Sequence, residues 1–186
     1  MGKWLLFIFL AVSGLAVAAD KGGSDSGEPG SSAEQAVIAE VREGDFVYRL
    51  VSEKGAYRRG ESTVVYAELE YVGKAPAVDI YHAASPFYFT FREETRDYEV
   101  GYWMNLPLIQ TTLKRGEPIR EAYRGGGGFS DEDAPAYIAF LQEIWKRGFP
   151  KGSYVFDGSA EFYVEAADGK RTDYALKGQI RFRVKP

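Results

Sequence analysis

Ser153–Glu165 (SYVFDGSAEFYVE) and Thr172–Lys185 (TDYALKGQIRFRVK), joined by Ala166–Arg171 (AADGKR), decide the fold. In the second arm Tyr174, Leu176, Ile180, Phe182 and Val184 fall on one side of an extended chain. Lys177, Gln179, Arg181 and Arg183 fall on the other. Side chains alternate across a strand, so this arm has one packed face and one charged face. Asp168-Gly169 tolerates the positive φ of a tight turn, which makes the two arms an antiparallel hairpin.

The same period of two runs back toward the N-terminus. Phe46, Tyr48 and Leu50 alternate with Val47, Arg49 and Val51. After a turn-like Glu53–Gly60, Val65, Ala67, Leu69 and Tyr71 oppose Val64, Tyr66, Glu68 and Glu70, the pattern of a strand with one wet side. Ala77–Ala83, Phe87–Arg92, Tyr98–Met104 and Leu108–Leu113 are further extended runs, and Phe87, Phe89 and Phe91 point together. With 13 Tyr, 12 Phe and 3 Trp, the composition favours pleated, half-buried surfaces.

One segment changes period. Tyr137, Phe140, Leu141 and Ile144 recur at i, i+3, i+4 and i+7, with Lys146 and Arg147 at the end and Gly148 just beyond. This spacing predicts one amphipathic helix over about 134–147, with Ser130, Asp131 or Asp133 as its cap. The expected architecture is mainly β: an antiparallel, immunoglobulin-like β-sandwich with that helix inserted.

The other end of the chain points to export. Lys3, the apolar run Trp4–Val12 and the small residues up to Ala18 or Ala19 form a signal peptide over 1–19. Its apolar run is too short for a membrane span. Residues 20–44 read as a flexible Gly/Ser/Asp-rich tether, in which Ala33–Arg42 is an amphipathic piece that starts a helix or leads into the fold. The folded domain is expected over 45–186, in a secreted or periplasmic, cell-envelope setting.

Composition narrows the function classes. The net charge is −4, and loss of Lys3 makes it one unit more negative, so nucleic acid is not an expected partner. There is no cysteine, which removes thiol catalysis and thiolate metal sites. The four glycines Gly125–Gly128 lack the Lys-Ser/Thr of a phosphate loop and read as a flexible connection between sheet and helix. Ser130–Asp133 lacks the spacing of a calcium loop. His82 is the only histidine, and Asp79 falls on the opposite face of a strand, so no acid–base pair is expected. Glu68/Glu70 and Glu93-Glu94 are carboxylate pairs, the first of them on a wet face.

Tyr57–Glu61 (YRRGE), Phe87–Phe91 (FYFTF), Tyr102-Trp103, Leu113–Glu117 (LKRGE) and Lys151–Val155 (KGSYV) lie in an order that resembles the bacterial intracellular proteinase inhibitor family and related immunoglobulin-like modules of exported bacterial proteins. The resemblance spans roughly Tyr57 to Val164. It implies an antiparallel sandwich that acts by contact, and in that family by inhibiting a protease. The export signal, the Gly125–Gly128 run and the helix depart from it, so the fold carries over and no inhibitory loop does.

The expected function is therefore that of a non-enzymatic binding module with no cofactor and no metal, contacting a protein or cell-envelope component. A secreted proteinase inhibitor and a polysaccharide-binding module are the alternatives. Tyr98, Tyr102, Trp103, Gly126, Gly127 and Phe129 are the candidate binding residues, as aromatic groups and loop positions able to present a contact patch.

Overall fold

The computed structural model describes residues 35–186; the expected signal peptide and residues 20–34 of the expected tether lie outside the described residues. The chain forms β1 (Val37–Glu43), β2 (Phe46–Ser52), β3 (Ala56–Arg58), β4 (Val65–Tyr71), β5 (Ala77–His82), β6 (Phe87–Glu93), β7 (Tyr98–Val100), β8 (Ile109–Lys114) and β9 (Ile119–Ala122). Then follow α1 (Pro135–Arg147), β10 (Gly152–Glu165) and β11 (Arg171–Lys185).

The strands make two sheets. One has the order β1-β2-β4-β9. The other runs β3-β11-β10-β5-β8, with β6 and then β7 continuing from β10 beside β5. Pairing is antiparallel except for β3, which runs parallel to β11. The β10–β11 hairpin is in the register that the sequence pattern requires, with Tyr154 opposite Phe182 and Phe156 opposite Ile180.

The ordered chain starts earlier than Asp45. β1 pairs along its whole length with β2 through a turn at Gly44, where φ is +57°. Val37, Ala39 and Val41 are half-buried against the core, so this piece is an alternating strand and neither a tether nor a helix start. Apolar contact on a sheet edge outweighs the helical reading of the same residues.

The sheets meet where β10 and β11 place two glycines opposite each other, Gly158 and Gly178. A Cβ on Gly158 would lie 2.5 Å from the Tyr48 hydroxyl and 3.0 Å from Leu50. The missing side chains let β2 press Tyr48 and Leu50, both fully buried, onto the hairpin. Around that contact the core is aromatic. Phe91 stacks on Phe156 at 4.9 Å and meets Phe149 and Tyr123 edge-on at 5.6 and 6.0 Å. Tyr154 stacks on Phe182 at 5.3 Å, and its hydroxyl donates to the Pro150 carbonyl at 2.6 Å.

Burial pushes the Tyr48, Tyr123 and Tyr154 hydroxyls well above the ordinary tyrosine pKa. A raised native pKa contributes stability that is fully present below the unfolded value, about 10, and is lost as pH rises through the native one. Thermal melts are expected to hold steady from neutral pH to about 10 and to drop steeply above it.

The helix is where its period places it, but its start is built differently. Ala134 offers no side-chain cap and Pro135 supplies the first turn. Asp133 instead accepts from the backbone N–H of Ser130 at 2.6 Å, closing a turn ahead of the helix. The acidic cluster thus shapes the approach rather than capping the exposed N–H groups. The far end follows expectation: Gly148 takes φ +84° and donates its N–H to Ile144 O at 3.0 Å. Phe140, Leu141 and Ile144 face the core. Leu141→Ala is expected to cost about 2–5 kcal/mol, the range for truncation of a fully buried leucine. A denaturant melt reads it.

Candidate functional site

The aromatic and glycine segments singled out in the sequence come together beside the helix. β7 ends at Val100, and the chain passes through Gly101 to Tyr102 and Trp103. Gly125–Gly128 lies directly against it. A Cβ on Gly127 would sit 2.5 Å from Val100 Cγ1 and 3.7 Å from Gly101 O, and one on Gly126 would sit 2.9 Å from the Tyr102 ring. Gly125 and Gly127 take φ of +109° and +80°, which L side chains rarely adopt. Gly125, Gly126 and Gly127 are therefore set by backbone conformation or lack of space and form a closely packed platform, not a loose connection, while Gly128 is exposed with open space around it.

Trp145 fastens this platform to α1. Its Nε1–H donates to Gly126 O at 3.2 Å, and its ring stacks on Phe129 at 5.5 Å with 23° between planes. On the other flank the Trp103 indole lies back toward Gly101, with Nε1 3.4 Å from where a Cβ would stand. Trp103 is 83 % exposed, Trp145 46 % and Phe129 39 %. Trp145 and Phe129 thus border the glycine run, Trp103 lies over Gly101 next to Gly127, and all three rings face solvent.

Not every predicted residue belongs to that surface. Tyr98 packs its ring on Tyr137 at 5.3 Å and Phe140 at 5.2 Å, so it holds the helix to β7. Tyr102 is half-buried, edge-on to Phe89 at 5.6 Å and Tyr88 at 6.2 Å. Burial and then the Glu121 carboxylate raise the pKa of its hydroxyl. Both are supports. Gly126 and Gly127 form the platform, and Trp103 and Phe129 are presented on it. Trp145 was not among the predicted residues; at i+8 from Tyr137 it stands at the edge of the apolar stripe of the helix.

Gly127→Ala combines a positive φ with a close approach to Val100. It is expected to destabilise by about 1–3 kcal/mol. Loss of the Trp145–Phe129 stack, read by near-UV circular dichroism, should accompany the lower melting temperature.

The polar candidates are engaged elsewhere. His82 is nearly buried, and its Nδ1–H donates to Ala83 O at 2.8 Å while Nε2 meets Thr111 Oγ1 at 2.8 Å. Asp79 accepts from Gln110 Nε2 at 2.9 Å and from Thr112 Oγ1 at 2.5 Å. Glu70 pairs with Arg49 at 2.8 Å and Glu68 with Arg120 at 2.6 Å, on the outer face of the smaller sheet. Glu93 is fully buried and Glu94 reaches Arg181 at 3.1 Å. Among the described residues no group of three or more His, Asp or Glu is placed to hold a metal ion, and no helix is long and apolar enough to cross a membrane.

A second concavity of about 450 Å³ lies between Leu106–Leu108 and the turn end of the β10–β11 hairpin. Its aromatic wall is already covered: Tyr163 stacks on Tyr81 at 5.0 Å, and Arg171 lies over the Tyr163 ring at 3.9 Å. That leaves no free Tyr163 face for a flat ligand. The exposed surface with open rings is the one around Gly125–Gly128. No protein-family model, curated protein or solved structure matches this chain.

Proposed function

We propose that the chain is an exported, non-enzymatic binding module, an immunoglobulin-like β-sandwich that contacts a protein or cell-envelope partner through Trp103, Phe129 and Trp145. The observation that carries this reading is the exposure of these three large rings, Phe129 and Trp145 at the packed glycine run and Trp103 over the adjoining Gly101. Buried aromatic anchors dominate the energetics of protein contacts, and Trp leads among them. A platform already fixed by packing loses little freedom when a partner arrives, so more of the contact energy appears as affinity. Phe129 and Trp145 cover one face of each other, which favours insertion of ring edges into a partner over a flat sugar platform.

Trp103 and Trp145 are the only tryptophans among the described residues, and Trp4 is removed by starting the chain at Asp20. Fluorotryptophan-labelled protein therefore reports on this surface alone by fluorine NMR. Soluble envelope-protein fractions are expected to shift or broaden both resonances, and the effect should vanish for Phe129→Ser. A response to cell-wall polysaccharide alone would replace this reading with a carbohydrate-binding module. Stoichiometric inhibition of a secreted protease, with the same resonances affected, would identify the partner as a protease. Resonances indifferent to every fraction would remove the surface from consideration.

A further inference from the structure

Five strands form sheet edges among the described residues, and each carries charge within its span. β1 has Glu40, Arg42 and Glu43; β3 has Arg58; β7 has Glu99; β9 has Arg120 and Glu121. Charge on an edge strand is a common device against pairing with another chain. β8 carries only Lys114, at its C-terminal end; Ile109–Leu113 is uncharged, and that run extends back to Val100.

The backbone of β8 has an open side. Arg115 donates its N–H to Pro76 O at 2.9 Å, and the register sets Thr111 opposite Ile80 and Leu113 opposite Val78. Hydrogen-bonded and non-bonded pairs alternate in an antiparallel ladder, so Ile109, Thr111 and Leu113 bond to β5. The N–H and C=O groups of Gln110 and Thr112 consequently point away from it. Both residues are exposed. The next outward carbonyl, that of Lys114, already accepts the Glu117 N–H at 3.1 Å.

We propose that β8 pairs antiparallel with β8 of a second copy of this chain, across a two-fold axis at Thr111. Gln110 of one copy then lies opposite Thr112 of the other, and each pair exchanges two hydrogen bonds. The outward N–H and C=O groups of both residues are all satisfied in this register. With the axis at Thr112, one of the bonds would need the Lys114 carbonyl, which is taken. Leu108, 69 % exposed, comes to lie against the aliphatic stem of the other copy's Lys114. Each copy is net negative, and β8 has no acidic residue, so two copies meet there with least repulsion.

The test uses the absence of native cysteine. A two-fold at Thr111 makes the two Thr111 residues a non-bonded pair, with Cα atoms about 4.5 Å apart and within reach of a disulfide. Thr111→Cys is expected to oxidise to a covalent dimer far faster than Asp168→Cys, a control in the exposed hairpin turn. By analytical ultracentrifugation the native chain should show a concentration-dependent dimer. Thr112→Pro should be monomeric at the same concentrations with a melting temperature lowered only slightly, by loss of the exposed Thr112 Oγ1–Asp79 bond, since the Thr112 N–H serves no bond within the chain. Should the proline variant melt early, the cysteine comparison still decides. Oxidation at Thr111 no faster than at Asp168, or a dimer that survives Thr112→Pro, would overturn the proposal.

Discussion

Phe91→Ala is expected to lower stability by about 3–5 kcal/mol, the upper range for a buried aromatic truncated to a methyl group. Phe91 is 1 % exposed and contacts rings from three directions. Its removal would leave Phe156 without its stacking partner at 4.9 Å and open a space that Tyr123 and Phe149 border from the helix side. A strand in the middle of a sheet cannot move inward to fill it, because Phe91 is also held by pairing to Phe156 and Val100. Since native domains are stable by about 5–15 kcal/mol, the variant should be marginally folded at room temperature. Urea melts of both proteins give the difference. A loss of less than about 1 kcal/mol would mean that the aromatic cluster does not bear the fold.

Glu93→Ala should cost about 3 kcal/mol for a different reason. The Glu93 carboxylate is fully buried and accepts from the backbone N–H groups of Thr95 at 3.0 Å, Arg96 at 2.8 Å and Ser153 at 3.2 Å. Arg96 Nη1 adds a charge-assisted bond at 3.0 Å. A Cβ on Gly152 would stand 2.4 Å from Glu93 Oε1, so glycine is required there for the carboxylate to fit. Truncation leaves the Thr95 and Arg96 amides without an acceptor, at about 1–3 kcal/mol each, while the Ser153 N–H keeps Thr95 Oγ1 at 3.3 Å.

The pH dependence is specific to this carboxylate. Burial works to raise the Glu93 pKa, but the bonds from Thr95 and Arg96 outweigh it and hold the carboxyl below the ordinary range. A lowered native pKa gives stability that is present above the unfolded value, about 4.3, and that disappears as pH falls through the native one. The difference between wild type and Glu93→Ala should therefore be constant from pH 7 to about 5 and shrink below that. A difference that stays flat into strong acid would assign the effect to packing alone.

The long-range design of the fold was readable where alternation runs for several residues. Val65–Tyr71, Phe87–Phe91 and the closing hairpin bury the side chains that their period assigns to the inside. Short strands were not readable. β3 has three residues and β9 four, too few for a period to appear, and their pairing to β11 and β4 comes from partners far along the chain. β1 misled because Ile38, 58 % exposed, breaks the alternation that Glu40 and Arg42 make with Val37, Ala39 and Val41 on the core.

The candidate surface was legible in its ingredients and not in its assembly. Gly125–Gly128 and Tyr102-Trp103 stand out as local composition. That Gly126 backs onto Tyr102 and Gly127 onto Val100 is a contact across some two dozen residues, which no local pattern encodes. Tyr98 and Tyr102 look like surface aromatics in the sequence and are supports in the fold, since one ring type serves both uses. Trp145, at the edge of the apolar stripe of α1, reads from its period as a helix–sheet contact, and only the fold shows it 46 % exposed.

Site-specific photocrosslinking in the producing cell tests the contact surface most directly. A benzophenone amino acid placed at position 103, 129 or 145 should give the same discrete adduct, while position 177, on the charged outer face of β11, should give none. Adducts from position 177 with none from the three aromatic positions would contradict the account.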